Sequence, residues 1–189
     1  MSGGGYLLGL ILVITGLAIS DLIVSLHGVL MNRRKVKWDW LALLAAVYIF
    51  LMIVNSWGVS FRAFKGDDVN PPLWQFLELI WQIIPLYLAA RAALPDNIPA
   101  EGVDLAAHYA QVSRYFWTAS GLTLALYLIG VSFYRGALMP VLAEDWGAVA
   151  QLALISALIA FNKRELHRIL VPAVVVLLCV DHLMQPLFG

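Results

Sequence analysis

The sequence predicts an all-α membrane protein with six transmembrane helices. Three observations carry this expectation. Apolar residues make up 62% of the chain and charged residues only 13%. Six apolar runs each approach the roughly 20 residues needed to cross a hydrocarbon core. Basic residues crowd into alternate turns between those runs. A soluble chain of 189 residues needs a polar surface, and soluble domains carry about 25% charged residues. A lipid environment removes that need, and the mean hydropathy of +0.84 agrees with it.

The runs are residues 6–31, 40–61, 73–94, 115–134, 141–161 and 169–188. No Lys or Arg precedes Arg33, whereas a secretory signal opens with a positive segment, so the first run is read as a retained span. Residues 32–37 form a short basic turn. Gly66, Asp67, Asp68, Asn70, Pro71 and Pro72 have loop chemistry and open the third span. Residues 95–104 are the longest polar stretch. Asp104 is placed to cap the fourth helix, which would then protrude from the membrane by a few turns. Met139 and Pro140 make the corner before the fifth span. All six spans form a single membrane domain, residues 1–189.

Charge sets the predicted topology. Arg33, Arg34, Lys35, Lys37, Arg91, Arg114, Lys163, Arg164 and Arg168 fall on one side, which is nine of the 12 basic residues. Arg62, Lys65 and Arg135 fall on the other. Lys and Arg are retained on the cytoplasmic face, so both termini are expected outside, in the cell membrane. Trp38, Trp40, Trp57, Trp74 and Trp146 fall near span ends, as an interfacial aromatic belt does. Trp81 and Trp117 lie deeper and are read as packing residues, with ligand stacking as the alternative.

Two stretches resemble each other. Gly16-Leu17, 24–31, Asp39-Trp40 and Asn55 match Gly121-Leu122, 131–139, Asp145-Trp146 and Asn162, with Pro85-Leu86 and Pro186-Leu187 as looser counterparts. A three-span duplication must be inverted, the plan of many transporters, whose site lies at the repeat interface. The competing explanation is the small residue alphabet that all apolar helices share.

Polar residues within spans cost free energy and usually face a bundle interior or a cavity. Gln75, Glu78, Gln82, Pro85 and Ala89 share one face of the third span. Thr15, Ala18, Asp21, Ser25, Gly28 and Asn32 share one face of the first. The spacing directs both faces inward. Counting helical rise, Glu78, Gln82, Asn55, Asp181 and His182 fall in one layer of the outer half, with Gln185 nearby and Asp21 below. The candidate binding residues are therefore Glu78, Asp181, His182, Gln82, Asn55 and Asp21. Glu78 and Asp181 are expected to face each other across an outward-open cavity, with Asp21 near its floor. Interhelical hydrogen-bond glue is the competing role for each.

Nucleotide-binding loops, zincin motifs, a K⁺ filter and regularly spaced span arginines are all missing from the sequence. No basic patch suited to nucleic acid is present. One cysteine, Cys179, excludes an internal disulfide. The four histidines do not name a cofactor, although His27 and His167 lie at a similar depth. The reading is a transporter or channel for an ion, proton or small polar solute, partnered by the bilayer. Its alternatives are a membrane enzyme using Glu, Asp and His, the weaker of the readings, and a sensor or assembly subunit. The subunit reading needs a membrane partner, and self-association is also open. The topology predicts that a cysteine at position 2 reacts with an impermeant thiol reagent from outside, and one in the 33–37 turn only from inside. Labelling of the turn from outside alone would invert the assignment.

Overall fold

The computed structural model describes residues 3–64, 72–136 and 138–180. The fold is all-α. Among the described residues, four helices are long and apolar enough to cross a membrane: α1 (Gly3–Met31), α2 (Trp40–Phe64), α3 (Leu73–Ala93) and α4 (Leu105–Arg135). Three shorter helices follow: α5 (Leu138–Glu144), α6 (Trp146–Ala160) and α7 (Arg164–Leu178). The fifth apolar run is thus two helices divided at Asp145, where a single helix was expected. Aspartate is a poor interior helix residue, yet helix-like bonds run across the division, from Asp145 N–H to Val141 O at 2.8 Å and from Val149 N–H to Asp145 O at 3.1 Å. α6 alone rises about 22 Å, less than the roughly 30 Å hydrocarbon core. The later part of the sixth run lies outside the described residues.

α4 begins ten residues earlier than the apolar run that marks it, and the reason is its cap. The Asp104 carboxylate accepts the backbone N–H groups of Ala106 and Ala107 at 2.9 and 3.2 Å. α3 runs unbroken through Pro85, which is buried. The polar-to-small faces read from the sequence do turn inward: Thr15, Ala18 and Ser25 on α1 are buried, as are Pro85 and Ala89 on α3. Trp38, Trp40, Trp74 and Trp146 are exposed near helix ends. Trp81 is 63% exposed rather than packed. At 3.6 residues per turn it lies roughly 80° around α3 from the inward stripe, to one side of it.

One end of the bundle is tied together by short-range chemistry. Two-residue strands, β1 (Val36–Lys37) and β2 (Val103–Asp104), pair in parallel and join the α1–α2 turn to the α3–α4 loop. Gly102 makes the approach: its φ is +97°, and a Cβ there would collide with the Lys35 carbonyl. Asp39, 6% exposed, does two jobs. Its Oδ1 caps α2 by accepting Leu41 and Ala42 N–H, both at 3.1 Å, and its Oδ2 pairs with Arg164 at the start of α7.

Beneath this clamp runs a buried chain of hydrogen bonds. Trp117 Nε1–H donates to Tyr109 Oη at 2.9 Å, and Tyr109 Oη lies 2.7 Å from His167 Nδ1. His167 Nε2 lies 3.1 Å from the Leu158 carbonyl. A carbonyl only accepts, so Nε2 carries the hydrogen and Nδ1 accepts from Tyr109. Every role is then filled by a neutral imidazole. Tyr48 packs against Phe116 and Trp117, with ring centroids 6.4 and 5.2 Å away, and completes an aromatic layer. Small residues let the helices close here: Ala42, Ala45 and Ala46 on α2, and Ala89, Ala90 and Ala93 on α3, are all buried.

Two predictions follow from this end of the bundle. Asp39→Ala removes a cap worth about 1 kcal/mol and leaves Arg164 without its carboxylate, so detergent-solubilised protein should lose on the order of 2 kcal/mol. Asp39→Asn keeps the cap geometry and should lose less, as thermal melts of both variants will check. His167 lies ahead of the sixth apolar run, and burial lowers its pKa from 6.5. Above that value neither folded nor unfolded chain protonates it, and no penalty arises. As pH falls below about 6.5 the unfolded chain takes up a proton that the native site resists, so stability declines until the native site also titrates. Melts between pH 7.5 and 5.5 should show this slope, and His167→Gln should flatten part of it.

Candidate functional site

The other ends of α2, α3 and α4 part around a cavity of about 440 Å³. From α2 come Asn55, Ser56 and Ser60, from α3 Gln75, Glu78 and Gln82, and from α4 Thr123, Tyr127 and Tyr134. Met52, Val59, Leu79, Leu124 and Val131 supply apolar wall between them. The cavity reaches the helix ends at Phe64 and Arg135. Met52 and Thr123 lie 12 residues in from those ends, about 18 Å along the helices. One to two helical turns further on, Tyr48, Phe116 and Trp117 fill the bundle.

Among the described residues, Glu78 is the only carboxylate in the lining. Its Oε1 accepts from Gln82 Nε2 at 2.5 Å, an i to i+4 bond along α3. The carboxylate lies directly against the backbone of α4 at Gly130. A Cβ there would collide with Glu78 and stand 3.4 Å from Gln82 Nε2. Glycine is thus what lets α3 and α4 meet with a charged group between them. Arg135 lines the mouth, and its guanidinium pairs with Glu144 at the end of α5.

The cavity's hydrogen bonds have a pattern. Gln82 bonds Glu78, Ser60 bonds the Ser56 carbonyl at 2.9 Å, and Thr123 bonds the Ala119 carbonyl at 3.2 Å. Each stays within one helix. Among the described residues, Asn55 and Gln75 make no side-chain hydrogen bond. None of these five groups serves as interhelical glue, and the cavity receives their remaining donors and acceptors.

The sequence-predicted residues divide. Glu78, Gln82 and Asn55 come together in the cavity wall. Asp21 does not line it. Its Oδ2 accepts from Tyr87 Oη at 2.7 Å and lies 3.5 Å from Arg91 NH1, and Arg91 also pairs with Asp96 at 2.7 Å. Ser25 Oγ donates to Asp96 at 3.0 Å, so this cluster binds α1 to α3. Asp181 and His182 lie outside the described residues, as do Gln185 and Pro186. His167 has both nitrogens engaged within the protein, and His27 is exposed on α1. Among the described residues, no three His, Cys, Asp or Glu side chains converge on a metal-sized point. The sequence reading passed over Thr123, Tyr127, Gly130 and Tyr134. They recur at steps of four, three and four, the same helical stripe that revealed α3. No family model, curated protein or solved structure matches the chain.

Proposed function

We propose that the protein is a multi-pass membrane transporter or gated channel, and that an ion, proton or small polar solute enters the cavity at Glu78. The observation that carries this reading is the cluster of Asn55, Ser60, Gln75, Gln82 and Thr123 in the cavity wall, whose side chains bond within their own helices or, for Asn55 and Gln75, make no side-chain hydrogen bond among the described residues. In lipid, polar groups that join no helices cost free energy without holding the bundle together. A solute or water that satisfies them offsets that cost.

Several features support the finer reading. The basic turns belong to the clamped end, and Lys and Arg mark the cytoplasmic face. On that rule the cavity opens outward, both termini lie outside the cell membrane, and the spans number six. The aromatic layer at Tyr48, Phe116 and Trp117 then closes the inner side, so passage requires it to move. An inverted repeat agrees with Asp39 and Asp145, its matched residues, both standing just before a helix. The environments of the matched residues differ. Asp39 caps and pairs, while Asp145 makes no side-chain cap, and Asn162 accepts from Ser113 where Asn55 faces the cavity.

Glu78→Gln keeps the shape and hydrogen bonding of the side chain. It should lower proton or cation flux in liposomes by about tenfold or more, since charge-assisted bonds of about 1.5–3 kcal/mol are lost, with the melting temperature unchanged. Gly130→Ala should also lower flux, because the added methyl displaces the flexible carboxylate rather than the helix. Full flux in both variants, or a large loss of stability in Glu78→Gln, would instead make Glu78 a structural residue.

A further inference from the structure

The cavity's dimensions and the Glu78 carboxylate in its wall narrow the class of solute. We infer that it takes an organic cation, an ammonium group on an apolar or aromatic body, in exchange for a proton at Glu78. This inference rests on the proposal that the cavity is a transport site.

Size is the first argument. A cavity of about 440 Å³ has room for roughly fifteen waters at about 30 Å³ each. A bare metal ion is selected by several oxygens close around it. Here the lining oxygens come from three helices around a cavity far larger than one ion, and Glu78 is the one carboxylate among the described ones, so an inorganic ion would keep its water and gain little selectivity. Cavities of about 300–1,000 Å³ are the range that holds small organic ligands.

The wall is the second argument. Leu79, Leu124 and Val131 offer apolar surface that a hydrated ion cannot use and an organic body can. Tyr127 and Tyr134 add aromatic rings, which attract cations over their faces. One molecule with a charged head and an apolar body matches both kinds of surface.

Charge is the third. Around Glu78, α2 contributes Asn55, Ser56 and Ser60, none of which titrates near neutrality, and α3 contributes Gln75 and Gln82. α4 contributes the two tyrosines and Arg135, whose charge is taken by Glu144. Among the described residues, Glu78 therefore makes no ion pair, and the one cation in the lining, Arg135, pairs with Glu144. In low dielectric a lone carboxylate either holds a proton or binds a positive partner. The two compete for one pair of oxygens. A cation binding to the acid form releases one proton, and a proton arriving from the other side releases the cation, so charge balances at each step.

The test uses the full-length protein in liposomes with an acidic lumen, a pH dye inside, and labelled benzyltrimethylammonium outside. This quaternary cation cannot cross lipid as a neutral base. The expected result is saturable uptake with alkalinisation of the lumen. A hundredfold excess of Na⁺ or K⁺ should not inhibit it. Uptake should fall at least tenfold in Glu78→Gln of unchanged melting temperature, and Glu78→Asp should retain saturable uptake. Flux of Na⁺, K⁺ or protons alone, lost in Glu78→Gln while the quaternary cation is excluded, would overturn the organic-cation assignment and leave the transport proposal standing. Uptake of glycerol or urea that is indifferent to Glu78→Gln would do the same. Liposomes tight to every one of these solutes would overturn both.

Discussion

Asp39 joins the starts of two helices whose paired residues are 125 positions apart in the chain. Its carboxylate caps α2 and holds Arg164 of α7 at once, and it is almost wholly buried. A buried carboxylate is costly unless every lone pair is used, so the geometry around it is demanding. That demand fixes how α2 sits against α7. The Tyr109–His167 bond then sets α4 against α7, and the paired turns at Val36 and Val103 set the α1–α2 turn against the α3–α4 loop. With one end of the bundle defined, the helices can diverge at the other without losing their arrangement.

The divergence itself follows from side-chain size. Toward the clamped end, α2 and α3 bury alanines, small side chains that let neighbouring backbones approach closely. Toward the open end, the same helices carry Asn55, Ser56, Gln75, Glu78 and Gln82, which are longer or polar and are not interlocked. The gap they leave is the cavity. Gly130 is the exception on that side. There α4 gives up its side chain so that the Glu78 carboxylate rests on backbone, and a charge ends up at a defined place in a loosely packed region.

Polar groups in this protein thus do two different things. Asp21, Tyr87, Arg91, Asp96 and Ser25 bond from one segment to another and hold α1 to α3. In the cavity wall, Ser60, Gln82 and Thr123 bond along their own helices instead. A hydrogen bond across helices adds stability and restricts motion. One within a helix leaves the helices free to move relative to each other, as a transport cycle requires. The aromatic layer of Tyr48, Phe116 and Trp117 separates the two regions, and the proposed passage depends on its rearrangement.

The sequence by itself determined the class of the protein, the long helices α1 to α4, the cap at Asp104 and the inward faces of α1 and α3. These depend on local composition and on the 3.6-residue period, and lipid rewards both regardless of what the helices pack against. It also brought Glu78, Gln82 and Asn55 to one layer, because helical rise converts position into depth. Direction within that layer was beyond it. Asp21 and Glu78 look alike in sequence, each an acid on a polar stripe, yet one is spent on Tyr87 and Arg91 and the other faces open space. Only the tertiary structure decided this, because the partner of a buried charge comes from another segment, 66 positions away for Asp21 and Tyr87. The same holds for the clamp at Arg164, for the neutral His167 and for the glycine under Glu78. Each depends on which helix stands opposite, and a periodic pattern along one helix carries no record of its neighbour.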